Sequence, residues 1–274
     1  MAFFSRLSLI LALGVASAGA SAHEVWLEPE NWVVAEQEPV TARLRNGEYF
    51  KGIELIWNDR SVVRAERWDN LGVQPITGRL GDRPALATTA ERDGLLTLLY
   101  KSSINTVDYT EYDKFAEFLA EKGYEAILQQ HAARRLPQVP IREAYSRYAK
   151  ALVAVGSGQG ADAPRGLEIE LVALSNPYTT DSDAEMRFQA VYQGKPLADN
   201  QVTIFAKAPD GTVETSYRTT DDAGTVSIDT VPGHAYLIDT VLVREPNRAV
   251  VARTRGAVWE SLWASLTFRV PPRQ

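Results

Sequence analysis

The sequence contains no cysteine and only three histidines among its 274 residues. Without cysteine there is no disulfide framework, so the burial of apolar side chains must hold the fold together. The same absence excludes thiolate metal sites and cysteine nucleophiles. A metal site in this chain must therefore use nitrogen and oxygen ligands.

Basic residues are also in short supply, since 29 lysines and arginines face 35 aspartates and glutamates, for a net charge of -6. A chain of this composition offers no basic face to neutralise phosphates, which argues against nucleic-acid binding. The common enzyme motifs are missing too: G-x-S-x-G, G-x-x-x-x-G-K-[ST], H-E-x-x-H and the Rossmann G-x-G-x-x-G. We therefore expect a protein that is not an enzyme.

Long apolar runs are confined to the first 22 residues, which have the pattern of a secretory signal peptide. Arg6 supplies the positive charge, "LSLILALGV" the short apolar core, and "ASAGASA" the small residues of an A-x-A cleavage site. No other segment approaches the roughly 18 apolar residues that a membrane helix needs. We expect a periplasmic or secreted mature chain without stable membrane insertion.

The chain after the signal predicts an N-terminal β domain over residues 23–105, followed by a helical insert over 106–155. Short stretches such as "GLLTLLYKSS" alternate apolar and polar residues between Gly, Asn and Asp turns, which is typical of antiparallel strands. The period then becomes helical in "TEYDKFAEFLAEKG", in "YEAILQQHAARRL" and again in "IREAYSRYAKALVAV". Helix-spaced apolar side chains support this prediction: Tyr112, Phe115, Phe118 and Leu119 in the first helix, and Ala144, Tyr148, Ala149 and Leu152 in the last.

Residues 156–166, "GSGQGADAPRG", predict a flexible loop or linker, and residues 167–274 predict a C-terminal β-sandwich. Seven candidate strands follow the linker, with tight turns at "APDGT", "DDAGT" and "VPGHA". The predicted fold class is mainly β with a helical insert, built as two immunoglobulin-like or transthyretin-like β-sandwich domains.

His23 is the first residue after the last A-x-A site, so its chemistry depends on where the signal is cut. Cleavage after Ala22 would leave His23 as residue one, where its α-amine and imidazole form a chelating pair for Cu(II), Ni(II) or Zn(II). Cleavage after Ala20 would place the histidine third, in a square-planar nitrogen set that suits Cu(II) and Ni(II). Cleavage after Ala18 would leave it without such a role.

The other two histidines have different contexts. His131 lies late in a predicted helix, where the helix dipole favours a cation, and we interpret it as structural. His234 follows the Pro-Gly turn of "VPGHAYLIDTV" and precedes a strand that contains Asp239. Loops at the ends of a sandwich are common positions for binding residues.

The stretch "AHEVWLEPE" after a signal resembles the opening of the domain of unknown function 4198 family, exported bacterial proteins grouped with periplasmic components of nickel and cobalt uptake systems. Further matching stretches are "GRLGDRPAL", "YTEYDKFAEFLAEKG", "LEIELVALSNPYT", "PGHAYLIDTVLVR" and "VWESLWASLTF". The resemblance covers nearly the whole mature chain. It implies a metal site at His23 and His234, with Asp239, Trp259 and Trp263 as secondary candidates that could equally belong to the core.

Three functions are open at this point. The first is a periplasmic protein that binds Ni(II), Co(II) or Cu(II) through His23, His234 and Asp239 and works with a membrane metal transporter. The second is a non-catalytic binding module for a peptide, a glycan or a partner protein. The third is an oxidative copper enzyme that uses His23 and His234, although no further motif in the sequence points to oxygen chemistry.

Overall fold

The structure is a computed structural model that describes residues 23–181 and 185–272. The signal peptide expected over residues 1–22 lies outside this part of the chain. Three α-helices occur within it, and none is long and apolar enough to cross a membrane. Their bounds are Tyr112–Glu121 (α1), Ala126–Ala133 (α2) and Arg248–Arg253 (α3).

The first half of the described chain forms ten strands, and the second half forms eight. The first ten are Glu24–Pro29 (β1), Val33–Val34 (β2), Pro39–Glu48 (β3), Lys51–Leu55 (β4), Val62–Asp69 (β5), Gly72–Pro75 (β6), Leu86–Thr89 (β7), Gly94–Ser102 (β8), Asn105–Tyr109 (β9) and Ile141–Val155 (β10). The others are Ile169–Ala173 (β11), Met186–Tyr192 (β12), Lys195–Pro196 (β13), Gln201–Lys207 (β14), Val213–Thr219 (β15), Thr225–Ile228 (β16), Ala235–Arg244 (β17) and Trp259–Arg269 (β18).

The strands form three sheets, of which the largest contains strands from both halves of the chain. Its order is β15-β14-β17-β18-β10-β8-β5-β6, and β2 and β9 also pair with β10. A smaller sheet contains β1, β3, β4 and β7, and another contains β11, β12, β13 and β16. We call these the central sheet, the N-terminal sheet and the C-terminal sheet. The mainly β fold class with a helical insert is confirmed.

The two smaller sheets pack on opposite faces of the central sheet. The C-terminal sheet covers one face through a core that includes Phe188, Ile238, Leu262 and Phe268. The N-terminal sheet covers part of the other face through Leu27, Leu44, Leu98 and Val153, among others. Next to it on that face, α1 and α2 pack through a third core that contains Phe115, Leu119, Trp259 and Trp263.

The two predicted helices over residues 110–136 are confirmed, and so are all seven strands predicted after residue 166. Helix α1 buries Phe115, Phe118 and Leu119 and stops before Gly123, whose φ of +76° is readily adopted by glycine. Its N-cap residue is Glu111, and no side chain caps the helix.

The helix predicted over 141–155 is wrong, because this segment is strand β10 in the middle of the central sheet. A spacing of four places Tyr148 and Leu152 on one face of a strand as well as of a helix. In the structure these two side chains face the core under the C-terminal sheet, whereas Ala149 and Val153 face the core under the N-terminal sheet. Burial on both faces therefore overrides the local helix propensity.

Residues 156–166 form a loop without helix or strand, as predicted, but the loop is fixed to its surroundings. Asp162 is buried and accepts hydrogen bonds from Lys150 Nζ at 2.7 Å and from the backbone N–H of Ala173 at 3.0 Å. At the start of the loop, the backbone N–H of Ser157 donates to Asp93 Oδ1 at 2.6 Å.

Candidate functional site

A cleft of about 450 Å³ opens between the N-terminal sheet and strands β8, β9 and β10 of the central sheet. We call it the Arg147 cleft. Asp108 and Arg147 are the acidic residue and the arginine of its lining, and His23 contributes an imidazole. Hydroxyl and amide groups dominate the rest: Asn46, Ser61, Tyr100, Ser102, Asn105, Thr106 and Tyr145, with Val25, Leu55 and Val107 as the apolar contribution.

The position of Arg147 follows from the pairing of β10. Strand β9 pairs with β10 over Ile141–Tyr145, and β8 pairs with it over Leu152–Val155. Between these stretches, Ser102 Oγ accepts the backbone N–H of Arg147 at 2.9 Å. Strand alternation then places Tyr145 and Arg147 on the same face of β10, which is the face that lines the cleft.

The guanidinium of Arg147 is held by aromatic rings rather than by an acidic partner. Its central carbon lies 4.0 Å from the ring centroid of Trp263, the residue opposite it on β18, and 4.7 Å from that of Tyr145. The side chain is only 5% exposed, and neither Nε nor Nη1 has a hydrogen-bond partner within the described residues. Burial lowers the pKa of Arg147, but an arginine side chain stays protonated in proteins.

A buried group of charges lies behind Arg147, where β1, α1 and β17 meet. Lys122 Nζ donates to Glu24 Oε1 at 2.7 Å and lies 4.9 Å from the Trp263 ring centroid. Burial opposes the charge on Lys122, but the negative charges of Asp239, Glu24 and Glu121 outweigh this effect and raise its pKa.

Asp239 belongs to this group and is 1% exposed, and neither of its carboxylate oxygens has a hydrogen-bond partner in the described chain. Burial raises the pKa of Asp239, with a further contribution from Glu24, against the opposing effects of Lys122 and Arg147. A buried carboxylate without hydrogen bonds is expensive to ionise, so this site favours the protonated acid.

Glu143 is a second buried acid on β10 and is fully enclosed. It accepts hydrogen bonds from Tyr109 Oη at 3.0 Å and from Ser261 Oγ. Burial raises the pKa of Glu143 to about 7, although both hydrogen bonds lower it. Part of the acidic charge around Arg147 is therefore neutralised by protonation near neutral pH.

His23 lies at the edge of the same cleft, directly before β1. Its Nδ1 is 2.8 Å from Glu48 Oε1, at the end of β3, and about a third of its side chain is exposed. The imidazole and a carboxylate are thus adjacent at the point where the mature chain is expected to begin.

His234 lies elsewhere, in the turn before β17. Side chains alternate along a strand, and Tyr236 and Ile238 face the C-terminal core, whereas Asp239 faces Lys122 on the other side of the central sheet. The ring of His234 packs beside Tyr236, with centroids 6.5 Å apart. His234 and Asp239 are five residue steps apart, or roughly 17 Å along the strand.

His23, His234 and Asp239 are therefore not brought together. Ser265 Oγ donates to the carbonyl of Val25, which aligns the start of β1 with the middle of β18, while His234 pairs with Val270 beyond the end of β18. Within residues 23–181 and 185–272, no group of three or more His, Cys, Asp or Glu side chains is placed to hold a metal ion.

His131 and the two tryptophans have structural positions. Trp259 Nε1 donates to His131 Nδ1 at 3.0 Å, so the proton of a neutral ring is on Nε2, which lies 3.0 Å from the carbonyl of Pro137. His131 and Trp259 are both buried, and Trp263 packs against Phe118. Trp263 also contacts Arg147, which gives this core residue a place beside the cleft.

The sequence alone did not indicate Arg147, Tyr145, Lys122, Glu24 or Glu143. On a helix over 141–155 the charged residues would occupy a solvated face, where a charged side chain needs no partner. The useful signal was the presence of Glu143, Arg147 and Lys150 within a run that a buried strand must accommodate, since buried charges require partners.

The model of a family described as "Domain of unknown function (DUF4198)" matches residues 20–244. No curated protein matches the chain. Two solved structures were similar at low identity, and their TM-scores are too low to carry an argument about function or fold. The tetra-tandem repeat of a large adhesion protein has 11% identity and a TM-score of 0.21, with 91% of this chain and 50% of that chain covered, so this chain spans half its length. The D0-D1 domain of Intimin has 12% identity and a TM-score of 0.20, with 89% and 97% covered.

Proposed function

We propose that this chain, which belongs to the domain of unknown function 4198 family, is an exported protein that binds a divalent transition metal at its processed N-terminus. One observation carries the proposal: His23 Nδ1 lies 2.8 Å from a carboxylate oxygen of Glu48. If the signal is removed after Ala22, the α-amine of His23 joins these two groups.

The resulting donor set is an amine nitrogen, an imidazole nitrogen and a carboxylate oxygen. Imidazole and amine ligands suit Ni(II), Co(II) and Cu(II), and the remaining coordination positions would be filled by water or by a ligand held in the cleft. Both nitrogen groups must release protons before they bind, so metal binding is expected to weaken in acid. With three protein donors the site would leave coordination positions open for metal exchange, as a metal carrier requires.

This version of the site differs from the one expected from the sequence, because Glu48 replaces His234 and Asp239. The partly exposed position of His23 would let the metal enter and leave without unfolding of the core. Delivery to a membrane metal transporter in the periplasm is consistent with such a site and is part of the proposal.

The proposal is tested by calorimetric titration of Ni(II) and Cu(II) into the protein that begins at His23. We expect one metal per chain, and about tenfold weaker binding in Glu48→Gln, which preserves the shape of the side chain but removes its charge. The matched control His234→Ala should bind as the parent does. Equal binding by Glu48→Gln and the parent, or loss of binding in His234→Ala, would overturn the proposed ligand set.

A further inference from the structure

We infer that the Arg147 cleft binds a small molecule with a single carboxylate group, and that the guanidinium of Arg147 is the group that recognises it. This site shares the cleft with His23 but uses neither His23 nor Glu48 to recognise its ligand, and its existence does not depend on metal binding. It makes the general expectation of a non-catalytic binding module specific in position and in ligand chemistry.

Arg147 is a buried cation without a hydrogen-bonded acidic partner in the described chain. A charged side chain that is 95% buried normally has hydrogen-bonded partners, because its desolvation is otherwise uncompensated. Nε and Nη1 of Arg147 have none among the described residues. Each of these atoms, together with Nη2, forms one of the two edges through which a guanidinium binds a carboxylate in bidentate fashion.

The guanidinium of Arg147 is already oriented by its aromatic neighbours. The ring centroids of Trp263 and Tyr145 lie 4.0 Å and 4.7 Å from its central carbon, and this contact restricts the plane of the guanidinium. The ordering of a long side chain is a large part of the cost of binding through arginine. Here that ordering is provided by the fold before a ligand arrives.

Within the part of the chain that the structure describes, the charges inside the cleft leave Arg147 as its unpaired cation. Asp108 is the acidic residue of the lining, and Arg142 already binds both of its oxygens, each at 2.7 Å. Arg147 is therefore the unneutralised charge that faces the cleft from β10. Behind it, Glu24, Glu143 and Asp239 make no hydrogen bond to Arg147, and burial favours the protonated forms of Glu143 and Asp239.

The charge of the lining also limits the charge of the ligand. Arg147 supplies one unpaired positive charge, which a single carboxylate matches, whereas a doubly charged phosphate would keep an uncompensated negative charge in a cleft that also contains Asp108. The hydroxyl of Thr106 and the amide of Asn46 can bind polar groups on the rest of the ligand, and Leu55 and Val107 offer a small apolar contact. The volume of the cleft is in the range of small-molecule sites, which favours a free metabolite over a protein chain.

The test uses the protein in metal-free buffer, so that its outcome is separate from that of the metal titration. Lactate, benzoate, succinate and inorganic phosphate are titrated individually, together with a tripeptide that has either a free or an amidated C-terminus. Tryptophan fluorescence is the readout, because Trp263 packs against the guanidinium, and calorimetry confirms the stoichiometry. We expect a monocarboxylate to bind in a 1:1 complex, more tightly than succinate and phosphate.

Three variants connect binding to the cleft. Arg147→Lys retains the charge but loses the bidentate edge, and should weaken binding at least about tenfold. Thr106→Trp fills the cleft from an exposed position and leaves Arg147 in place, so it should abolish binding even if Arg147→Lys fails to fold. Arg187→Met removes an exposed arginine from β12, in the C-terminal sheet, and should bind as the parent does.

Several outcomes would overturn the inference. These are the absence of binding by every carboxylate, unchanged binding in Thr106→Trp, or tighter binding of phosphate than of any monocarboxylate. Binding of the tripeptide with a free C-terminus, without binding of lactate or benzoate, would overturn the assignment to a free small molecule. If the tripeptide with a free C-terminus binds and the amidated tripeptide does not, the occupant of the cleft is a peptide C-terminus.

Discussion

At the scale of single residues, the three histidines have three different environments, although the sequence presents them as one set of candidate ligands. His131 accepts the indole N–H of Trp259 inside the helical core, whereas His23 lies next to Glu48 at the edge of the cleft. His234 lies in a turn on the other side of the central sheet. Only the tertiary structure separates the roles of His131 and His23, because their partners Trp259 and Glu48 are far away in the sequence.

Replacement of His131 tests its structural role. His131→Phe retains a ring of similar size but leaves Trp259 Nε1 buried without an acceptor, so we expect a loss of about 2–4 kcal/mol in the free energy of unfolding. His234→Ala serves as the control and should change stability by less than about 0.5 kcal/mol. Urea unfolding of both variants checks this prediction. Equal effects of the two substitutions would contradict the assigned environments.

The raised pKa of Glu143 predicts a dependence of stability on pH. Because the folded-state pKa is about 7 and the ordinary value is 4.5, the contribution of this group is fully present below pH 4.5 and is lost as pH rises through 7. We expect Glu143→Gln to reduce the decline in unfolding free energy between pH 5 and pH 8. The free energy of unfolding of Glu143→Gln, relative to that of the parent, should rise by about 1–3 kcal/mol between pH 5 and pH 8.

Urea unfolding at pH 5, 6, 7 and 8 measures this effect, with Glu214→Gln on the exposed face of β15 as the control. Parallel pH profiles for Glu143→Gln and the parent would show that Glu143 does not titrate in this range.

Among the helices and strands, those with a clear apolar period and one buried face can be predicted from the sequence. Helix α1 and the seven strands after residue 166 are of this kind. Strand β10 was missed because it is buried on both faces and is rich in residues that also favour helices. Since Tyr145 and Arg147 are neighbours only on a strand, the error on β10 also concealed the Arg147 cleft.

The loop over 156–166 shows how one ion pair can fix a glycine-rich segment. Lys150 on β10 and Asp162 in the loop are both nearly inaccessible, and removal of the Asp162 charge leaves the buried Lys150 with only a longer ionic contact to Glu170, at 3.8 Å. We expect Asp162→Asn to lower the free energy of unfolding by about 3–5 kcal/mol. It should also expose Arg165 to trypsin.

Limited trypsin digestion followed by mass spectrometry measures this cleavage. Asp222→Asn, in an exposed turn, is the control and should leave the digestion unchanged. Resistance of Arg165 to trypsin in Asp162→Asn would contradict the role assigned to the ion pair.

At the scale of the whole molecule, the N-terminal and C-terminal halves share the central sheet. Strands β10 and β18 pair in parallel from Glu143 and Trp259 to Ala151 and Thr267, and Thr267 Oγ1 donates to the carbonyl of Leu27 on β1. The division into two sandwich domains at residues 156–166 stays a prediction. The shared sheet leads us to expect that the halves do not fold independently.

Differential scanning calorimetry tests this expectation on the mature chain. We expect one transition whose calorimetric and van't Hoff enthalpies agree, because separation of the halves would expose the edges of β10 and β18. Two resolved transitions, or a folded fragment of residues 167–272, would show that the halves are independent.

The proposed metal site joins the position of signal cleavage to the chemistry of one residue, because the α-amine of His23 is free only after cleavage at Ala22. A chain that begins at Gly19 has the same fold and the same His23 imidazole but lacks a free amine at that residue. The most direct test is the affinity for Ni(II) of this chain compared with that of the chain that begins at His23, measured by competition with a chromogenic chelator.

We predict that the chain that begins at His23 binds Ni(II) at least about a hundredfold more tightly, which corresponds to about 2.7 kcal/mol of binding free energy. Equal affinities of the two chains for Ni(II) would contradict the proposed function, because they would show that the processed N-terminus is not part of a metal site.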